Sequence, residues 1–205
     1  VPSGFQNSVI AIANVFVQSN INAFGKMAMA GCGSYSKIEG FAFLPVTCFT
    51  MALTTFVSQN LGAKQYDRAK KGARFGVLCS ITIAEFIGII IYVAAPVLIK
   101  AFNRDPDVVH YGVMQSRTIA LFYCLLAFSH CIAAILRGSG NASVPMIVML
   151  CDWCLFRVSY ITVAVRILPD IRVIFWAYPL TWGISSVIFL YLFLRGKWVY
   201  GFEKS

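Results

Sequence analysis

Residues 64–99 read KQYDRAKKGARFGVLCSITIAEFIGIIIYVAAPVLI. The first eleven, Lys64 to Arg74, hold five basic residues and one acid, and the apolar run from about Gly72 to Ile99 then carries only Arg74 and Glu85 as charges. At ~1.5 Å of rise per residue a helix of this length reaches ~40 Å, enough to cross ~30 Å of hydrocarbon with tilt. Strand pairing does not fit, because the run lacks period-2 alternation and is too long. A basic flank beside such a run marks the cytoplasmic side of a membrane span.

Five more apolar runs surround this one. With it they give spans at 3–24, 38–59, 72–99, 109–135, 143–168 and 172–195. Composition agrees: the 205 residues are 59% hydrophobic and 12% charged, with a mean hydropathy of +0.76. Soluble domains carry about 25% charged residues, so a water-soluble domain is excluded. The fold class is all-α integral membrane, a bundle of six transmembrane helices forming one domain over 1–205. Val1-Pro2 reads as the interior of a longer chain.

The formal charge is +9. In a soluble protein this excess would suggest nucleic acid, but here the bases cluster at span ends, where the lipid bilayer explains them and no nucleic-acid partner is needed. With the 64–74 segment inside, both ends are cytoplasmic and the chain is a multi-pass protein of the cell membrane. Nine bases then lie inside and six outside, and Arg117 and Arg157 remain within the membrane. Seven cysteines lie mostly in apolar runs, where neither a disulfide framework nor a zinc site is expected. Pro45, Pro96 and Pro179 fall in spans and predict kinks or hinges. Gly72-x-x-x-Gly76 has the spacing of a close helix contact.

Two sets of residues could carry function. In the first span, at 100° per residue, Ser3, Asn7, Asn14, Gln18 and Asn22 fall at about 0°, 40°, 20°, 60° and 100°. Amides in hydrocarbon are costly unless satisfied, so this stripe either bonds neighbouring helices or walls a wet cavity. Its length favours the cavity, with Gln6, Asn7, Asn14 and Gln18 as lining residues. A neutral polar wall suits organic solutes better than an ion filter.

The second set is four deep charges, each costing roughly 2.5–3.5 kcal/mol if unpaired near a helix centre. Counting rise from the outer helix ends puts Arg117 ~12 Å, Arg157 ~15 Å, Glu85 ~20 Å and Asp152 ~24 Å deep. Arg117 and Arg157 are candidates for intramembrane ion pairs. Asp152 and Glu85 are candidates for binding a proton or cation, with Asp152 the better placed. No metal-protease, nucleophile-elbow or P-loop motif occurs, and His110 and His130 are too far apart on one helix to share a site, so an enzyme is not expected.

Val57-Ser58-Gln59-Asn60-Leu61-Gly62-Ala63-Lys64 resembles the cytoplasmic loop of the MATE (multidrug and toxic compound extrusion) transporters. So do Leu136-Arg137-Gly138-Ser139-Gly140-Asn141 with Pro145, Pro2-x-Gly4-x-Gln6, and Ser36-Lys37-Ile38-Glu39-Gly40-Phe41-Ala42-Phe43-Leu44-Pro45. The resemblance covers nearly the whole chain and matches the carboxy-terminal six-helix lobe of a twelve-helix transporter. It implies an outward-facing V of two lobes that exports drugs or metabolites against inward Na⁺ or H⁺, with no other cofactor. The partners it implies are the amino-terminal lobe and small organic substrates. It also implies tight cytoplasmic turns at Gly62 and Gly138–Gly140.

Many bacterial members carry a glutamate in the first span of this lobe, where this chain has apolar residues around Ile10. They also carry an aspartate in the fourth span, where this chain offers only Asp107 at the edge. That cation site does not transfer, leaving coupling to the other lobe or to Asp152 and Glu85. Two alternatives stand beside export: a flippase for lipid-linked sugars, and a membrane structural subunit whose polar stripe joins helices.

Overall fold

Polar backbone in lipid must satisfy itself, which leaves the helix as the form available to these runs. The computed structural model describes residues 2–195 and 198–200, with side chains from residue 9 onward, and the described part of the chain is built from helices. The first span is α1 (Pro2–Asn22), the second α2 (Lys26–Gly62) and the third α3 (Tyr66–Phe102). The fourth is α4 (Pro106–Ile119) and α5 (Tyr123–Gly138), joined through a 3-10 turn at Ala120–Phe122. The fifth is α6 (Ser143–Met149) and α7 (Arg157–Ile167), joined through π-helical turns at Leu150–Phe156, and the sixth is α8 (Ile171–Leu194). Five of the six are long and apolar enough to cross a membrane, and Val9–Asn22 of α1 is a shorter apolar helix.

Three differences from the sequence reading matter. First, α2 and α3 are 37 residues each, longer than the apolar runs because the helix continues through the flanking residues. The basic segment 64–74 is thus no loop: only residues 63–65 link the two helices, and four of its five bases, Arg68, Lys70, Lys71 and Arg74, ride the first turns of α3. Second, the prolines do not break their spans, since Pro45, Pro96 and Pro179 lie inside continuous helices. The interruptions fall at 120–122 and 150–156, where no proline stands. Third, the residue in the left-handed region before α3 is Lys64 (φ 58°), with Gly62 still helical.

The two turns at this end share one geometry. The Gln65 N–H donates to the Asn60 carbonyl at 2.8 Å and that of Lys64 to Leu61 at 2.9 Å. The Asn141 N–H likewise donates to Leu136 at 3.0 Å and that of Gly140 to Arg137 at 3.0 Å, with Gly140 at φ 86°. Both are Schellman turns, which satisfy the last helical carbonyls. At the opposite end Asp105 caps α4, accepting from the Asp107 N–H at 2.9 Å ahead of Pro106.

Lipid is as apolar as leucine, so packing rather than water exclusion joins the helices, and small residues let them approach. Accordingly α5 sits at the centre, with Ala127, Cys131, Ala133 and Ala134 all fully buried. Gly72 and Gly76 are notches as their spacing suggested: a Cβ would strike the Phe56 ring at the first and Leu53 Cδ2 (2.6 Å) at the second. Gly88 of α3 lies directly against the Ala120 carbonyl, where the fourth span breaks.

Candidate functional site

The extended α2 carries a polar stripe. At 100° per residue, Glu39, Gly40, Phe43, Thr47, Thr50 and Thr54 fall within about 60° of Ser36, while Phe41, Cys48 and Ala52 point about 120–160° away. Along this stripe open two cavities. One, of ≈ 290 Å³, is lined by Asn14 of α1, Ser36, Glu39 and Phe43 of α2, Trp153 of the π-helical turn, and Tyr178 and Trp182 of α8, among others. The other, of ≈ 320 Å³, lies nearer the 63–65 turn, between Thr50, Thr54 and Thr55 on α2 and Arg137 on α5.

Glu39 holds the charge of the first of these cavities. The Tyr35 hydroxyl lies 3.4 Å from its Oε1, and a 2.9 Å bond links Tyr35 to the hydroxyl of Tyr123, the first residue of α5. Behind the cavity wall stands Arg157, only 2% exposed. Its guanidinium lies between the rings of Trp153 (5.0 Å) and Tyr178 (4.7 Å), and its Nη2 donates to Thr181 Oγ1 at 2.8 Å. Stacking on two aromatic faces is a substitute for water that suits arginine and not lysine. Asp152, five residues before it, is 4% exposed, and neither carboxylate oxygen has a hydrogen-bond partner among the described residues. Arg157 therefore acts from a distance on two carboxylates, Glu39 on the cavity wall and Asp152 in the dry interior. The π-helical turn sets this arrangement: its wider winding carries Asp152 and Trp153 just ahead of Arg157, and such turns recur at functional sites.

The expected ion pairs do not form among the described residues. The contacts of Arg157 are aromatic faces and a hydroxyl, with both acids beyond ion-pair distance. Arg117 is exposed, with its guanidinium 5.7 Å from the Tyr92 ring centre. Neither arginine needs an acid, because an aromatic face takes its place. Glu85 stands apart from Arg157: its Oε2 accepts the Cys124 N–H at 3.1 Å. That amide is freed where the 3-10 turn interrupts the fourth span, so Glu85 closes the backbone of the break. Of the stripe on α1, Asn14 lines the cavity, whereas Gln18 is exposed outside it and donates to Asn22 Oδ1 at 2.9 Å. The side chains of Gln6 and Asn7 lie outside the described residues.

The MatE family model matches residues 2–162, well over half of the chain. The chain belongs to the MatE family. Among its relatives is the probable multidrug resistance protein NorM of Thermotoga maritima, 26% identical over 96% of this chain and 43% of that protein. Another is the probable multidrug resistance protein YoeA of Bacillus subtilis, 23% identical over 73% of this chain and 32% of that protein. A crystal structure of a MATE transporter in complex with MaD3S superposes with a TM-score of 0.88 at 17% identity, over 95% of this chain and 44% of that one. The chain thus spans about two fifths of the length of these relatives, and its fold is that of one six-helix lobe of a multi-pass MatE membrane protein.

Glu39 is the site residue that the sequence does not single out, although it lies inside the Ser36–Pro45 motif. A span starting at residue 38 puts it at the end of a helix, whereas α2 starts at Lys26 and holds Glu39 thirteen residues inside a continuous helix, on the wall of the cavity. The signal was present in Ala28, Gly31, Cys32, Tyr35 and Ile38, a helical run of buried positions extending the apolar face backwards.

Proposed function

We propose that this chain is the carboxy-terminal lobe of a secondary transporter that exports organic drugs or metabolites across the cell membrane, coupled to inward H⁺ or Na⁺. The observation that carries the reading is the polar, aromatic-walled cavity along α2, with Glu39 on its wall and Asp152 and Arg157 behind it. The names of the relatives, multidrug resistance proteins, support the same direction. An amino-terminal lobe of the same transporter is the partner that closes the open side of the cleft. The turns at 63–65 and 139–142 face the cytoplasm in this reading, because the basic residues of α3 gather there. A flippase for lipid-linked sugars would want a basic cavity, and Glu39 makes this one acidic.

Coupling falls to the two carboxylates that share Arg157. Neutralising one, by a proton or a cation, shifts the guanidinium's attraction towards the other. The experiment compares Asp152→Asn, Glu39→Gln and Glu85→Gln in the intact transporter, measuring folded yield and gradient-driven ethidium efflux from proteoliposomes. Asp152→Asn and Glu39→Gln should fold, bind ethidium and lose gradient-driven efflux. Glu85→Gln keeps an oxygen for the Cys124 amide and should retain efflux. Normal efflux in both of the first two would place coupling in the other lobe. Loss of yield in Asp152→Asn would make it a structural group.

A further inference from the structure

At the end of the bundle bearing the 63–65 turn, a cavity of ≈ 350 Å³ opens between the start of α3 and the end of α8. It is lined by Lys70, Arg74, Phe193, Leu194, Trp198 and Val199. The export cavity lies elsewhere, along α2, so this one needs its own account. Its chemistry is divided: two cations one helical turn apart on α3 face an apolar wall from α8 and the turn that follows it. No ion pair ties either cation to an acid among the described residues. Their helix holds a single acid nearby, Asp67, one turn before Lys70 and Lys71.

The level of the cavity is fixed by its neighbours. The Trp198 ring stacks on Phe193 (5.6 Å, 10° between planes), and its indole N–H donates to the Phe193 carbonyl at 3.3 Å. Tyr66 and Tyr200 meet at 5.8 Å, and Arg195 lies 5.1 Å over the Tyr191 ring. Tryptophan, tyrosine and arginine gathered at one height mark the membrane–water interface. On the hydrocarbon side of the two cations the exposed groups include Leu78 on α3 and Leu190 on α8, both apolar. A ligand that fits has a phosphate beside Lys70 and Arg74 and acyl chains running past Leu78 and Leu190.

We propose that this cavity is a binding site for the headgroup of an anionic phospholipid of the phosphatidylglycerol type. Basic pockets between membrane helices at the interface bind such headgroups. A zwitterionic lipid would bring a choline cation to two bases, so the site discriminates by charge. A free phosphate would meet the same bases without the chain contacts and would bind far more weakly.

The test uses the intact protein at physiological ionic strength, where exposed charges further than about 8 Å apart are screened. Lipid retention is read by native mass spectrometry with phosphatidylglycerol, phosphatidylcholine and inorganic phosphate as probes. The variant Lys70→Gln/Arg74→Gln should lose phosphatidylglycerol affinity by about thirtyfold, at about 1 kcal/mol per base and 1.4 kcal/mol per tenfold. The control Arg68→Gln/Lys71→Gln removes the same charge from exposed positions outside the cavity and should stay within about threefold. Equal losses in the two would reduce the site to a diffuse surface field and overturn the proposal. Displacement of the lipid by millimolar inorganic phosphate would overturn it in favour of a free anion. Should the double variant not fold, brominated-chain phosphatidylglycerol decides: it should quench fluorescence in the unmodified protein more than in Trp198→Phe, and equal quenching would sink the site.

Discussion

Helices α2 and α3 have the same length and pack against each other, yet their exposed faces differ. On α3 the exposed groups in the membrane are Phe75, Leu78, Phe86, Val93 and Val97, among others. On α2 an apolar strip through Phe41 and Leu44 is joined by Ser36, Gly40, Thr47 and Thr55, which are also exposed. A face that bears the Glu39 carboxylate does not suit lipid, because hydrocarbon offers no partner for a charge. Under the proposed function, the contrast separates the side of the lobe that meets acyl chains from the side that meets the cleft. It also separates the two membrane arginines: Arg157 lies behind the cleft wall, while Arg117 lies exposed at Tyr92.

The largest effect should come from that pair. Arg157→Ala removes two cation–π contacts and the bond to Thr181, and leaves a cavity, so the loss should be about 3–5 kcal/mol. Arg117→Ala gives up one exposed stacking contact and should cost about 1 kcal/mol or less. Thermal unfolding of the intact protein in detergent measures both, and comparable losses would break the distinction. Arg157→Met sharpens it. The thioether refills the space without the charge, so stability should largely return while gradient-driven efflux stays lost if Arg157 links Glu39 and Asp152.

The next test addresses the two faces directly. Phe86→Lys puts a cation on the lipid face near the middle of α3, where insertion scales give about 3 kcal/mol. Thr47→Lys places the same charge near the middle of α2 on the cleft side, where water reaches it, and should cost under about 1 kcal/mol. Folded yield after membrane extraction reads the difference. Equal losses would mean that lipid covers the threonine face as well.

The helical membrane bundle could be read from the sequence because its long helices are runs of hydrocarbon-compatible residues, and that property is local. The details of the site could not, because they depend on where helices end and how they wind. Glu39 changed from a helix-end residue to a cavity residue when α2 gained its first turns. Lys26 and Lys37 lower the hydropathy of that stretch, while Gly31 packs so closely on Val108 and Gly112 that the turns stay ordered. Glu85 read as a lone deep acid because its partner is a main-chain amide 39 positions away, freed by a 3-10 turn that no proline announces. The π-helical turn at 150–156 likewise has no sequence signature, yet it sets the positions of Asp152, Trp153 and Arg157. Asn14 was legible, since its place on the polar face of α1 is a matter of period alone.

The smallest expected effect decides whether the α2 stripe is glue or wall. Glue requires hydroxyls that bond other helices. Thr47 Oγ1 donates to Phe43 of its own helix, Thr50 to Thr47 and Thr55 to Met51. Only Thr54 among these four reaches across, lying 3.2 Å from the Ala134 carbonyl of α5 and 2.8 Å from that of Thr50. Interhelical hydrogen bonds in membrane proteins average about 0.6 kcal/mol. Thr54→Val should therefore lose about that much, because the methyl keeps the volume and only the bond goes. Thr47→Val and Thr55→Val should lose nothing measurable, since each gives up a bond within its own turn and water covers the freed carbonyl. Unfolding of the three variants side by side is the measurement. Losses at Thr47 and Thr55 matching that at Thr54 would mean a protein surface covers the stripe, making it an interface between lobes. Silence at Thr47 and Thr55 with a small loss at Thr54 leaves the stripe as the wall of a wet cleft.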